Sequence, residues 1–191
     1  MKKIALIALT SATLASPAFA GNFAGFGLGV EASINKHDVS ESNIKFTGDN
    51  EVGANLVGSY GFAHPNNLVS TIDAKVGLGS VDIVDSNNIK VEQKQSYSVG
   101  YALGYTGLNE NFMPYAKVNY NVAKLEGTVN GVNNGDVNVK GFGWGVGAKY
   151  KFTPNIEAGV EYIDSKLDRS ADSIKTERDG HNINVGLTYR F

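Results

Sequence analysis

Four acids and five bases share a two-residue spacing that sends them to one side of extended chain: Glu31, Asp73, Glu157 and Glu161 with Lys75, Lys117, Lys149, Lys151 and Arg190. A tight turn at 153–155 would set Lys151 opposite Glu157, with Lys149 diagonal to both Glu157 and Glu161. Charges shut into a narrow space must pair or meet water, because an unpaired buried charge is very costly. Two kinds of chemistry fit: a fixed plug of salt bridges and hydrogen bonds, or an ion gate that switches partners. Both need the same residues.

The histidines, His37, His64 and His181, are the other reactive candidates. His64 precedes Pro65 in a short turn and reads as solvated. His37 and His181 would approach each other at one rim if the first and last extended segments are neighbours, beside Asp38 and Asp179. That grouping raises a metal site or a lipid hydrolase. A hydrolase needs a serine beside its base, but His181 is followed by Asn182, Ile183 and Asn184, with no third good metal ligand at a convincing spacing. No catalytic residue, metal or cofactor is therefore assigned. Gly25-Phe26-Gly27-Leu28-Gly29 and Gly143-Trp144-Gly145-Val146-Gly147 look like nucleotide loops, but each alternates along a strand with no helix after it.

The elements that position these residues are strands. Ala24, Phe26, Leu28, Val30, Ala32 and Ile34 alternate with Phe23, Gly25, Gly27, Gly29, Glu31 and Ser33. The same two-residue period recurs seven more times, around 52–62, 68–79, 97–105, 115–122, 141–152, 156–162 and 182–191. Short connectors at 63–67, 106–112 and 153–155 alternate with long ones at 35–51, 80–96, 125–140 and 164–180. Within the long ones, 81–91 and 128–139 look like hairpin extensions, the second carrying turn signals at Asn130-Gly131 and Asn134-Gly135.

The stretch GFGWGVGAKYKF, 141–152, decides which side meets which solvent. Glycines and lysines occupy one side; Phe142, Trp144, Val146, Ala148, Tyr150 and Phe152 occupy the other. A soluble, lipocalin-like barrel would leave a bare glycine surface facing water, at a cost in chain entropy. Turned inside out, the pattern fits. Apolar side chains meet lipid and small polar ones fill the narrow bore of eight strands. Aromatics near strand ends, Tyr60, Phe62, Tyr105, Tyr150, Phe152, Tyr189 and Phe191, suit interface girdles. Lipid forbids open sheet edges, so the strands must close. The expected fold is all-β: an eight-stranded antiparallel transmembrane β-barrel with an up-and-down meander.

The first twenty residues read as a secretory signal peptide: Lys2 and Lys3, an apolar run from Ile4 to Leu14, then small residues at Ala18 and Ala20. Cleavage after Ala20 would leave 21–191 as the barrel. With no cysteine there is no disulfide framework, and a net charge of -2 gives no field that would draw nucleic acid. The loop after the seventh strand mixes Lys166, Arg169, Lys175 and Arg178 with Asp168, Asp172, Glu177 and Asp179, so it forms no basic stripe.

The ending Gly186-Leu187-Thr188-Tyr189-Arg190-Phe191 resembles the C-terminal signal of bacterial outer-membrane barrels, with Ile183, Val185, Leu187, Tyr189 and Phe191 at alternate positions. Pro114-Tyr115 after a short turn, and Thr153-Pro154-Asn155-Ile156 leading to Glu161-Tyr162, look like the small-barrel families too. The chain from 21 onward resembles the OmpX-like, opacity-like and OmpA transmembrane-domain barrels. That resemblance implies location in the outer membrane of a Gram-negative cell, with both termini periplasmic and four long loops outside. It implies outer-membrane lipid, lipopolysaccharide and the barrel-assembly machinery as partners, and host or cell-surface ligands reached through the loops. The function it implies is non-enzymatic: adhesion or surface interaction and envelope integrity. The alternatives are a low-conductance porin-like channel with a charged interior gate, as proposed for OmpA-like barrels, and an outer-membrane lipid enzyme dependent on His181.

Overall fold

β-Branched and aromatic residues alternating with glycine, asparagine and serine favour extended chain with two unlike faces. The computed structural model describes residues 22–41, 44–47, 51–79, 81–86, 89–129, 132–169 and 177–191; the expected signal peptide lies outside these residues. Among the described residues ten strands form: β1 (Gly25–Glu41), β2 (Ile44–Thr47), β3 (Glu51–His64), β4 (Leu68–Leu78), β5 (Val81–Ser86), β6 (Ile89–Tyr105), β7 (Phe112–Val129), β8 (Val132–Lys151), β9 (Ile156–Arg169) and β10 (Glu177–Arg190). Two are short additions, β2 pairing with β1 and β5 with β6. The other eight run round the wall in chain order, each antiparallel to the next. β10 then pairs back onto β1, from Gly27↔Arg190 to Val39↔Arg178, and closes an eight-stranded up-and-down barrel.

The strands outrun the sequence expectation. Much of the chain read as long connector is paired backbone: β1 reaches Glu41, β6 begins at Ile89, and β7 and β8 stay paired out to Val129↔Val132. Asn134-Gly135, read as a turn, lies inside β8. The register steps there from Glu126↔Asp136 to Thr128↔Asn133, which is a bulge. Asn130-Gly131 occupies the two-residue interval between β7 and β8, outside the described residues. The short connectors stay short. At Pro65–Asn67 the chain turns through one 3-10 turn, with Asn66 and Asn67 at φ 63° and 61°. Asparagine tolerates that left-handed conformation better than most residues.

Polarity is inverted relative to a water-soluble domain. Val30, Val99, Trp144 and Phe142 are 57%, 59%, 59% and 72% exposed, while Glu157 and Arg190 inside the barrel are 1% and 2% exposed. The lower end is taken here as the one carrying the short turns and both ends of the barrel chain. There Phe26, Tyr60, Phe62, Tyr150, Phe152, Tyr189 and Phe191 stack in pairs, with ring centroids 4.7–5.8 Å apart. A second aromatic group, not anticipated from the sequence, lies toward the upper end on β7–β10. Tyr120 and Phe142 pack at 4.9 Å across the β7–β8 ladder, and Tyr162 stacks on His181. Phe142 and Phe152 both face outward on or just past β8. The ten residue steps from one to the other span ~33 Å of strand, or ~25 Å of height at the usual tilt of ~40°, the apolar height of an outer-membrane barrel.

The outer wall is thus stable only against hydrocarbon. Val185, paired with Ala32 and 56% exposed, stands between the two aromatic groups. Val185→Arg is expected to lower the stability of the folded barrel by ~2–4 kcal/mol, read as a shifted midpoint in urea titrations of vesicle-inserted protein. Thr188→Arg, on the inward parity, should not follow that depth rule.

Candidate functional site

Eight strands leave little room inside, and the sequence meets this by setting long polar side chains opposite glycine. Across the ladders Glu31 faces Gly186, Asp73 faces Gly100, Lys117 faces Gly145, Glu161 faces Gly147 and Lys149 faces Gly159. Gly100 shows the reason. A Cβ there would lie 2.4 Å from Lys117 Cε and 2.9 Å from Asp73 Oδ2, so any side chain would displace the ion pair.

These residues gather into two clusters. In the upper one, Lys75 Nζ lies 2.7 Å from Glu31 Oε2 and 2.7 Å from Glu161 Oε1. Lys117 Nζ lies 2.8 Å from Asp73 Oδ1 and 3.2 Å from Glu161 Oε2. Glu161 is the shared carboxylate, and it also accepts from Tyr115 Oη at 3.0 Å and Asn184 Nδ2 at 3.1 Å. Asn55 donates to Glu31 at 3.2 Å. The cluster holds three acids and two bases. The lower cluster holds one acid and two bases: Arg190 makes a bidentate pair with Glu157 at 3.0 and 2.7 Å, and Lys149 lies 3.5 Å from the same carboxylate. One cluster therefore carries an excess negative charge and the other an excess positive charge. Stacked in one bore, they balance.

Lys151 behaves differently from the sequence expectation. The backbone register does set it opposite Glu157. Its Nζ, however, donates to the main-chain carbonyl of Asn22 and sits 5.7 Å from the centre of the Phe23 ring. Arg190 takes Glu157 and also donates from Nη1 to the Gly25 carbonyl at 2.8 Å. Residues 22–25 are thereby held in the lower mouth, with Phe23 fully buried among Val69, Ala102, Met113 and Tyr115. The Phe23 carbonyl passes only 2.1 Å from where a Cβ on Gly61 would stand, so the segment fits because that position is glycine. Sequence reasoning missed this seal, although its signal was present. Phe23 and Tyr115 are large rings on the face otherwise given to glycine, serine, asparagine and charge.

Among the histidines, His64 Nε2 lies 2.7 Å from Ser70 Oγ, so it is exposed but partnered. His181 faces outward, 3.0 Å from Tyr162 Oη and 3.7 Å from Asp164 Oδ2. The backbone sets His37 opposite Gly180 and Asp38 opposite Asp179; the side chains of His37, Asp38 and Asp179 lie outside the described residues. Among the described residues, no three His, Asp or Glu side chains converge as a metal-binding group. Ile183, Val185, Leu187, Tyr189 and Phe191, the expected assembly signal, all face outward and are 47–70% exposed.

A mainly polar interior inside a mainly apolar wall is the organisation of a lipid-embedded barrel, and a family model described as "Outer membrane protein beta-barrel domain" matches residues 4–191. The chain belongs to this outer-membrane barrel family. A comparison with curated proteins gave no significant match. Among solved structures, the chain is similar to Ail, the attachment invasion locus protein of Yersinia pestis, at 20% identity and TM-score 0.60, covering 88% of this chain and 99% of that one. Neisserial surface protein A is similar at 16% identity and TM-score 0.60, covering 88% and 98%. A complex of Ail with the heparin analogue sucrose octasulfate gives 19% identity and TM-score 0.58, covering 87% and 99%. At these identities the likeness establishes a shared barrel fold. Membership in the family places the apolar wall in the outer membrane, with the chain crossing it many times.

Glu161→Gln removes a charge shared by two lysines. It is expected to cost ~3–5 kcal/mol, visible as a lower temperature for loss of the compact, fast-migrating form on unheated gels. Phe23→Ala is expected to leave that form in place and to raise ion current through the refolded 21–191 chain in planar bilayers. Current equal to that of the unaltered chain would show that the Phe23 ring does not limit passage.

Proposed function

We propose that this protein is a non-enzymatic surface barrel of the outer membrane, whose wall anchors loops for adhesion or other surface interaction and contributes to envelope integrity. One observation carries the reading: the bore is filled at two levels, by the shared-carboxylate cluster and by Phe23, while the upper strands continue well past the upper aromatic group. β7 and β8 are 18 and 20 residues long, against the ~9–11 residues a spanning strand needs. The surplus is built at one end only. That end is the extracellular one in this proposal, with both termini periplasmic after cleavage behind Ala20.

The fold likeness to the attachment invasion locus protein and to Neisserial surface protein A supports a surface role in kind. It does not carry over the sulfated ligand of the Ail complex. The loop around 164–180 sets four basic residues against Asp168, Asp172, Glu177 and Asp179, a poor match to a polyanion. The projecting hairpins instead offer strand edges and mixed-charge surfaces to a protein partner. The interior residues Glu31, Asp73, Lys75, Lys117, Lys149, Glu157, Glu161 and Arg190 serve in this reading as a structural plug, with Lys151 holding the lower seal. Outer-membrane lipid and lipopolysaccharide contact the wall, and the assembly machinery reads the final strand.

Shortening the β7–β8 hairpin from Val129↔Val132 back to Ala123↔Val139 should leave the barrel heat-modifiable and resident in the outer membrane. Adhesion of expressing cells to host-cell monolayers should fall to the level of cells lacking the protein. Adhesion that survives this trimming and that of the β5–β6 hairpin would remove the surface reading. Steady current from the untrimmed chain would move the function to the bore, as a low-conductance channel.

A further inference from the structure

The segment that precedes β1 crosses the lower mouth from one wall to the other. Around the closed wall β7 stands four places from β1, on the opposite side of the bore. The chain enters β1 at Gly25, yet the Asn22 side-chain amide donates to the Glu110 carbonyl at 2.9 Å and to Asn111 Oδ1 at 3.4 Å, in the turn that leads into β7. Between these ends Phe23 is buried against Val69, Ala102, Met113 and Tyr115, which come from β4, β6 and β7 and not from the strands that flank β1. The two ends are held differently. Gly25 has φ 93°, a left-handed conformation that glycine adopts readily, and its carbonyl accepts from Arg190. The Asn22 amide bonds are exposed to water, which competes for both partners and leaves little net stabilisation; Lys151 adds one bond to the Asn22 carbonyl. Release of 22–24 breaks no rung of the sheet, because the β1–β3 ladder begins at Gly25↔Gly61 and the β1–β10 ladder at Gly27↔Arg190.

We propose that residues 22–24 are a lid on the lower mouth, hinged at Gly25 and latched at Asn22, which swings away while the barrel stays closed. Segments that open locally are those with few ladder bonds and exposed hydrogen bonds, and this segment has both properties. The lid covers more than the ring socket. Ala102, Met113 and Tyr115 line the Phe23 socket and also a cavity of about 60 Å³ that reaches Lys149 and Glu157. With the lid off, that cavity joins the lower solvent and Lys151 loses the Asn22 carbonyl, so the mouth gains an unpaired cation. Opening thus admits water and small solutes to the lower ion-pair cluster; the Glu161 cluster above takes no part. The inference goes beyond the surface role and uses none of the loop residues on which that role depends.

The chain has no cysteine, so a single introduced one reports the opening. The 21–191 chain carrying Ala102→Cys, refolded in detergent micelles, is treated with N-ethylmaleimide, with and without Asn22→Ala. Labelling should be slow and unchanged by low concentrations of urea. It should run about three- to tenfold faster with Asn22→Ala, the effect of a lost hydrogen bond at the latch. Val69→Cys, elsewhere in the socket, takes the place of Ala102→Cys if that variant does not give the heat-modifiable form. Equal labelling with and without Asn22→Ala, including none in either, would overturn the lid. Labelling that rises with urea in step with loss of the fast-migrating form would overturn it too, since Phe23 would then leave its socket only when the whole barrel unfolds.

Discussion

Everything in this molecule depends on the ladder that joins its last strand to its first. In hydrocarbon no water can satisfy a free backbone amide or carbonyl, so a sheet persists only if it has no edge. The β1–β10 register supplies that closure. Once eight strands are closed, the interior diameter is set, and the interior diameter dictates the rest. The inward face must alternate between side chains that reach across and positions that yield to them. That is the physical content of the glycines facing Asp73, Lys117 and Glu161.

The filled bore then raises an electrostatic problem, because charges removed from water are stabilising only when fully partnered. The solution is chemical sharing. Glu161 takes two lysines, a tyrosine hydroxyl and an asparagine amide, so both of its oxygens are engaged twice. Arg190 and Lys149 share Glu157. Neither cluster is neutral alone. Their opposite excess charges favour their stacking in one channel, where each moderates the field of the other.

Much of this was legible in the sequence, and for one reason. A two-residue period combined with a face too small and polar for a soluble exterior leaves a single consistent solvent assignment. The membrane-facing residues of 141–152 and the opposition of Lys151 and Glu157 follow from period and turn length alone. Partner choice does not follow. Lys151 reaches Asn22 rather than Glu157 because residues 22–25 enter the mouth, a contact 129 residues away in sequence. The hairpins outlasted their turn signals because pairing, once begun, continues across a bulge at Asn134-Gly135. The two-residue period puts Tyr115 on the same face as Lys117, but nothing local says that its hydroxyl meets Glu161.

The lower mouth has a consequence for how the molecule is made. Gly25 and Arg190, joined by a hydrogen bond, stand near the two extremes of the barrel sequence, and Asn22 is gripped from β8. The Gly25–Arg190 contact cannot form before the final strand is in place. Contacts so distant in sequence carry a high entropic cost and are expected late in folding. The seal therefore doubles as a record of completion: an intermediate lacking its final strand has a leaking floor as well as an open seam, and both defects end in the same event.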